Sequence, residues 1–305
     1  MSGSIIPNRR HIRTEQPNPA SRQLDVMPIE QAVLLMNQED QRAIAAVGAQ
    51  SAAIAVAVEM VAAAFRRGSR LIYVGAGTSG RLGALDAAEC PPTFSTDPGM
   101  VVGVIAGGPA ALTRSIENVE DDATAGAAAM ENLTVAADDV VFGIAAGGTT
   151  PFVYGALDEA RRRQAKTIFL VCTAREHVTA TVDLVIALET GPEVLTGSTR
   201  LKAGTATKLV LNTVTTLAMV QLGKVMGNTM VDLDATKNSK LVDRGARIIE
   251  ELTGRNRDES LELLFQAQGQ VKRAIVMHHR RCDSATADRL LADAGGRLRN
   301  VLQEP

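Results

Sequence analysis

Short apolar runs recur along the middle of the chain and alternate with longer stretches in which apolar residues return with a helical period. The short runs predict buried strands at 70–75, 101–106, 139–145, 167–172 and 183–188. The longer stretches predict helices near 79–89, 109–132, 152–164 and 200–223. Because buried strands alternate with helices, we expect an α/β fold in which a parallel sheet lies between two helical layers.

The two ends of the chain show helical patterns without strands. Near the N-terminus, helices are expected from Pro28 to about Met36 and from about Gln41 to Arg67. Residues 1–13 are expected to be disordered, and the polar, proline-interrupted segment 14–25 to be an extended arm. A small C-terminal helical unit is predicted, with helices near 239–252, 257–267, 270–280 and 284–293. We therefore divide the chain into an N-terminal arm with helices at 1–60, a ligand-binding domain at 61–225, and the helical unit at 226–305.

A glycine-rich turn follows the first predicted strand and opens a helix. It contains Gly75, Gly77, Thr78, Ser79 and Gly80. Free N–H groups, hydroxyls and the positive end of the helix dipole favour an anion there, typically phosphate. The glycine spacing also matches a dinucleotide fingerprint, but no acidic residue ends the second strand to hold a ribose. A glycine turn without a ligand is the third interpretation.

Two further loops carry hydroxyls where strands give way to helices. The candidate binding residues in them are Gly147, Gly148, Thr149 and Thr150 in one loop and Thr196, Ser198, Thr199 and Lys202 in the other. Several hydroxyl loops without a Walker pattern favour a phosphorylated metabolite over a nucleoside triphosphate. Ordinary helix capping by Ser and Thr explains the same residues without a ligand.

Two acidic features lie near the predicted phosphate loop. Glu89 comes just before Cys90, Pro91 and Pro92, and the prolines are expected to end its helix. Glu117 and Glu120 are predicted to share one face of the next helix. Glu89 and one of this pair would then flank a ligand, although a solvated acidic helix end is the alternative for 117–122.

Composition restricts the class of partner. Lys and Arg total 32 against 34 for Asp and Glu, a net charge of −2, so charge indicates neither a nucleic acid nor a membrane surface as partner. The three cysteines are widely spaced, which favours a reducing cytoplasm and argues against a structural zinc site. We expect a cytoplasmic protein that binds a small molecule and contains no metal.

Several blocks of sequence resemble the N-acetylmuramic acid 6-phosphate etherase family, from about Thr14 onward. They are TExxNPxS at 14–21, GAGTSGRLGALDAAECPPTF at 75–94, IAGG at 105–108, VED at 119–121, TGSTRLKAGTATKLVLN at 196–212 and GNTMVDLDATKNSKL at 227–241. The resemblance implies sugar-isomerase-type (SIS) architecture and cleavage of the D-lactyl ether of N-acetylmuramic acid 6-phosphate, without a cofactor. It also implies that Glu89 is the proton donor and Glu120 the second active-site glutamate. Because Glu89 lies beside prolines and apolar residues, we expect it to be desolvated enough to stay protonated.

The chain departs from the family pattern in two loops. Members usually have Ser-Gly-Arg-Thr-Pro where this chain has Gly147 to Pro151, and often Cys-Asn-Pro where it has Cys172, Thr173 and Ala174. Thr149 or Thr150 is expected to replace the lost contact. A sugar-phosphate isomerase and a non-catalytic sugar-phosphate sensor remain alternative functions. We also expect a homodimer, because the arm and the apolar helix 41–67 offer more surface than one domain needs.

Overall fold

The computed structural model describes residues 12–236 and 238–303. Within these residues the chain forms two compact units, which we describe separately. The first contains residues 12–88 and 98–215, and the second contains 89–97 and the described residues from 216 onward. The domain boundaries that we drew from the sequence stay a prediction.

The first unit is built on a five-stranded parallel sheet with the order β2-β1-β3-β4-β5. The strands are β1 (Leu71–Gly75), β2 (Val101–Ile105), β3 (Val140–Ile144), β4 (Lys166–Val171) and β5 (Leu184–Ala187). The central strands β1 and β3 are buried along their whole length, as their apolar runs predict. The predicted α/β class and all five strands are therefore confirmed.

Six helices accompany this sheet. They are α1 (Ile29–Ala49), α2 (Ser51–Arg66), α3 (Gly77–Phe94), α4 (Ala123–Asn132), α5 (Pro151–Arg162) and α6 (Lys202–Gln221). The core on one side of the sheet joins Phe152 and Leu157 of α5 to Val141 of β3 and Phe169 of β4. Among the described residues no single helix is long and apolar enough to cross a membrane. Only α1 and α2 taken together pass that test, across a bend of 62°.

Three predictions about helices were wrong. No continuous helix spans 109–132, because the chain forms short 3₁₀ turns at Pro109–Leu112 and Val119–Asp121 before α4, with Asn118 left-handed at φ 64°. Pro91 and Pro92 do not end α3, which continues to Phe94; the φ fixed by proline is compatible with a helix, although each proline removes one backbone hydrogen bond. The two N-terminal helices run to Ala49 and begin at Ser51, not at the predicted bounds.

The N-terminal arm is folded onto the first unit rather than extended. It makes 3₁₀ turns at Arg13–Glu15 and Pro19–Ser21, and Ile12 is buried although 1–13 was predicted to be disordered. Asn18 begins the second turn by accepting a hydrogen bond from the N–H of Ala20 at 2.9 Å. The rest of the disorder prediction, on residues 1–11, lies outside the described residues.

The second unit is mainly helical, as predicted. It contains the β6–β7 hairpin (Val225–Met226 and Thr229–Met230) and the helices α7 (Ser239–Thr253), α8 (Arg257–Gln266), α9 (Val271–Arg280), α10 (Ser284–Asp293) and α11 (Leu298–Gln303). Ile249, Leu264 and Ile275 are fully buried at the centre of its apolar core. The hairpin was not predicted, because its two-residue strands are too short to show a period.

Candidate active site

A cavity of about 260 Å³ lies at the carboxyl ends of β1 and β3. These strands are neighbours at the point where the strand order of the sheet reverses, the usual ligand position in open parallel sheets. Polar groups dominate its lining, which comprises Ile12, Glu15, Ala76, Gly77, Thr78, Ser79, Glu120, Asp121, Ala145, Ala146, Gly147, Thr149, Thr150, Pro151, Gly197 and Thr199.

The first wall of the cavity is the turn between β1 and α3. Gly77 begins α3 with φ 53°, which is left-handed and suits glycine. Gly80 packs so closely that an added Cβ would lie 2.6 Å from Cγ1 of Ile105 and 2.7 Å from the carbonyl oxygen of Gly75. Thr78 and Ser79 line the cavity in the first turn of α3, where N–H groups without helical partners favour an anion.

The second wall is the loop between β3 and α5. Gly147, Thr149, Thr150 and the first helical residue Pro151 all line the cavity. Gly148 lies behind them, with φ 71° and its carbonyl oxygen accepting a hydrogen bond from the Tyr154 hydroxyl at 2.8 Å. Both threonines therefore line the cavity, and the expectation that one of them replaces the lost contact stays a prediction. The N-termini of two helices, α3 and α5, meet at one cavity.

The charges that line the cavity are all negative. Glu15, Glu120 and Asp121 contribute carboxylates, and none of the described residues lining it is Lys, Arg or His. A phosphate in this cavity would be held by backbone N–H groups, hydroxyls and two helix dipoles rather than by a positively charged side chain of the described lining. A carboxylate and a phosphate repel each other strongly in such a site, so the carboxylates are suited to uncharged hydroxyls and to proton transfer.

Glu120 reaches the cavity from the segment between β2 and α4. This segment is positioned by Arg81 of α3, whose guanidinium donates hydrogen bonds to the carbonyl oxygens of Leu112 at 3.2 Å and Arg114 at 3.0 Å. Asp122 then caps α4 by accepting from the N–H of Ala125 at 2.9 Å. Glu117 does not line the cavity and accepts from the Ser115 hydroxyl at 3.1 Å. The cavity lining thus includes Glu120 and not Glu117, two residues that the helical spacing alone left equivalent and between which the family resemblance chose Glu120.

Glu89 is not among the residues that line this cavity. It lies on the part of α3 that belongs to the second unit and is exposed to solvent. We expected Glu89 to be desolvated, and the chain alone does not provide that environment. Within the described chain, the two glutamates are not brought together in the cavity of the first unit.

The third predicted loop contributes less than its hydroxyls suggested. Thr199 lines the cavity, whereas Thr196 lines a separate surface groove next to Pro17 and Asn18, and Ser198 lines neither. Lys202 is 1% exposed, and its Nζ donates to Oε2 of Glu39 at 2.5 Å. In this structure the lysine that we expected to bind phosphate is therefore paired inside the protein.

Buried carboxylates surround the start of α6. Glu193 accepts from the N–H groups of Lys202 and Ala203, each at 3.0 Å, and burial raises its pKa against the effect of these bonds. Burial also acts to raise the pKa of Glu39, but hydrogen bonds from Lys202 and Asn18 and the nearby positive charges outweigh it and lower the pKa. This network joins the arm, α1 and α6 behind the cavity.

Glu15 is an acidic cavity residue that our sequence analysis did not single out. It belongs to the Thr-Glu block at 14–21, which we quoted for the resemblance without assigning a role to the glutamate. The signal was therefore present, but an arm expected to be extended gave no reason to place its acid at the phosphate loop. Among the described residues no three His, Cys, Asp or Glu side chains are close enough together to hold a metal ion.

A parallel α/β domain with two helix N-termini and a set of hydroxyls at its switch point defines the class of protein. The family model of the glucokinase regulatory protein N-terminal SIS domain matches residues 53–161, from α2 into α5. The chain therefore contains a SIS domain. A phosphoheptose isomerase from Francisella tularensis is a distant structural neighbour, 17% identical over 64% of this chain and 98% of its own, with a TM-score of 0.48.

Similarity over nearly the whole length identifies the family. The chain is 53% identical to an N-acetylmuramic acid 6-phosphate etherase of Trichormus variabilis, over 97% of this chain and 96% of that protein. It is 52% identical to that of Crocosphaera subtropica, over 98% and 97%, and 49% identical to that of Synechocystis, over 99% of both. The chain belongs to the N-acetylmuramic acid 6-phosphate etherase family.

Proposed function

We propose that this protein cleaves the D-lactyl ether of N-acetylmuramic acid 6-phosphate, giving N-acetylglucosamine 6-phosphate and D-lactate. The observation that carries the proposal is the full-length identity of about one half to etherases, together with a cavity that joins phosphate-binding helix ends to Glu120. Breakdown of a cell-wall amino sugar in the cytoplasm is the corresponding cellular role.

The chemistry follows from the acidity of the open-chain sugar. Its C1 aldehyde acidifies the C2 proton, so a carboxylate can remove that proton while the C3–oxygen bond to lactate breaks. An acid protonates the departing lactate oxygen, and an unsaturated aldehyde remains. Water then adds at C3 and a proton returns to C2, so one water is consumed for each lactate released.

Glu120 and Glu89 are the groups that we assign to these proton transfers. Glu120 lines the cavity and is the base in the proposal, and Glu89 is the acid, in agreement with the family resemblance. The phosphate is held at the N-termini of α3 and α5, by Thr78, Ser79, Thr149 and Thr150. Gly147 and Thr199 contribute to the remaining wall.

Isotope labelling tests this elimination and addition. In D₂O the N-acetylglucosamine 6-phosphate produced should carry deuterium at C2, and in ¹⁸O-labelled water it should carry the label at C3. Lactate should contain no ¹⁸O at its hydroxyl, because its own ether oxygen leaves with it. Label in the lactate hydroxyl would show attack at the lactyl carbon instead and would contradict the mechanism.

We further propose that the protein is a homodimer in which Glu89 acts in the cavity of the partner. Two observations support this: Glu89 is exposed and outside its own chain's cavity lining, and α1 presents an unpartnered apolar face. Ile29, Val33, Met36 and Ile44 follow the spacing of one helix face and are all exposed, Ile29 at 80%. Exposed apolar stripes of this kind are typical of association surfaces.

Mixing two inactive variants tests the shared site. When Glu89→Gln and Glu120→Gln dimers exchange subunits, each heterodimer should contain one cavity with both glutamates intact. Random exchange should therefore restore about a quarter of the wild-type activity in a two-fold symmetric dimer. Exchange without recovery would place both glutamates in cavities of the same chain, and a monomer in sedimentation would exclude the dimer itself.

A further inference from the structure

Glu15 is an acidic side chain at the cavity to which neither proton transfer is assigned. It lies in the 3₁₀ turn Arg13–Glu15 and lines the cavity, so this residue is contributed by the N-terminal arm and not by a loop of the sheet. Its carboxylate makes no hydrogen bond or ion pair with any residue of 12–236 or 238–303. A charged group that lines a cavity and has no partner in the described part of the chain is available to a ligand.

Burial and hydrogen bonds hold the arm in place on both sides of Glu15. Ile12 is 1% exposed, and the carbonyl oxygen of Thr14 accepts from the N–H of Gly197 at 3.1 Å. Further along, Asn18 donates to Glu39 at 2.8 Å and to the carbonyl of Pro192 at 3.2 Å. These contacts keep Glu15 beside the cavity, and they give the arm a function that an extended tail would not have.

The two charged residues of this turn have different environments. Arg13 lies 3.7 Å from Glu189 in an exposed ion pair, whereas Glu15 lines the cavity. Gly197 leaves room for that carboxylate, because an added Cβ there would lie 3.3 Å from Oε2 of Glu15, and its φ of 74° also disfavours a side chain. Gly197 of the facing loop therefore lies close to the Glu15 carboxylate.

Electrostatics decides which part of a ligand Glu15 contacts. Two negative charges at about 4 Å repel each other by about 4 kcal/mol near a protein surface, so the carboxylate does not hold the phosphate. It is suited to accept hydrogen bonds from hydroxyls. We propose that Glu15 is a substrate-binding residue that accepts a hydrogen bond from a hydroxyl of the sugar, an inference that rests on a sugar phosphate as the ligand of the proposed function.

Comparing the binding of two ligands distinguishes a sugar contact made by Glu15 from a structural change in the N-terminal arm. The probes are N-acetylglucosamine 6-phosphate, which presents both sugar and phosphate, and inorganic phosphate, which reaches only the phosphate position. For Glu15→Ala, the sugar phosphate should bind about tenfold to a hundredfold more weakly, the range for a hydrogen bond to a charged group. Glu15→Gln should lose less, since it keeps one acceptor. Phosphate should bind both variants at least as well as wild type, because one repulsive charge is gone.

Glu189→Gln is the matched control, since it removes another exposed carboxylate of the same region from outside the cavity. It should bind both ligands as wild type does. Wild-type affinity of Glu15→Ala for the sugar phosphate would overturn the proposal, and so would an equal loss of both ligands, which indicates a structural role. Because binding is measured without turnover, absence of lactate release would overturn the proposed reaction while leaving the effect of Glu15 on sugar binding as its own result.

Discussion

The ion pair between Lys202 and Glu39 gives a buried partner to a lysine that the sequence placed in a phosphate loop. Its lysine follows a run of hydroxyls and glycine, which is typical of a phosphate loop, and its partner lies 163 positions away along the chain. Nothing local indicates burial. Asn18 donates to the same carboxylate oxygen, so the arm block takes part in a tertiary contact that periodicity does not reveal.

Removing one member of the Lys202–Glu39 ion pair should destabilise the first unit more than replacing both members with apolar residues. Lys202→Met leaves the Glu39 carboxylate buried without its main partner, and we expect a loss of about 3–5 kcal/mol in the free energy of unfolding. The double variant Glu39→Met with Lys202→Met removes both charges and should lose clearly less. Urea titration followed by circular dichroism measures both values. Equal losses in the two variants would contradict a charge effect.

The pH dependence of stability should carry the signature of Glu39. The pKa of Glu39 is lower in the folded protein than its ordinary value of 4.5. Its contribution to the free energy of unfolding is therefore complete above pH 4.5, and it is lost as the pH falls through the pKa of the folded state. The difference in unfolding free energy between wild type and Glu39→Gln should therefore shrink between pH 7 and acid. Glu193, whose raised pKa acts in the opposite direction, is present in both proteins. A difference that stays constant with pH would contradict the assignment.

At the scale of elements, the glycine turn before α3 was predictable because its constraint is local. Gly75 and Gly80 touch across one turn, and the strand and helix on either side have clear periods. The segment 109–122 was not predictable in the same way. Its 3₁₀ turns depend on Asn118 in a left-handed conformation and on Arg81 holding the loop carbonyls, and neither produces a periodic pattern.

Gly80→Ala should distort the turn at the start of α3 to which we assign phosphate binding. Its Cβ would meet the Gly75 carbonyl and Ile105, so the first turn of α3 must move, at a cost of about 1–3 kcal/mol. We expect weaker binding of inorganic phosphate together with a lower melting temperature. Gly99→Ala is the control, because nothing lies within 4 Å of its added Cβ. Normal phosphate affinity in Gly80→Ala would show that this turn does not form the phosphate site.

At the scale of the whole molecule, the sequence predicted the sheet, several of its helices and the helical C-terminal unit, because buried strands and helix periods are encoded locally. The rule for carboxyl ends of parallel strands placed Thr78, Ser79, Thr149 and Thr150 at one edge of the sheet with either Glu117 or Glu120, and the family resemblance chose Glu120. The sequence could not predict the position of Glu89, since a residue's distance from a cavity depends on tertiary structure. The folded arm, with Glu15, was missed for the same reason.

The measurement that tests the central claim most directly is lactate release from N-acetylmuramic acid 6-phosphate by the purified protein, beside Glu120→Gln and Glu89→Gln. The account predicts one lactate for each N-acetylglucosamine 6-phosphate formed, and a fall in kcat of at least about a hundredfold in each variant. Sugar-phosphate binding without lactate release from the wild-type protein would contradict it and would favour a sugar-phosphate sensor.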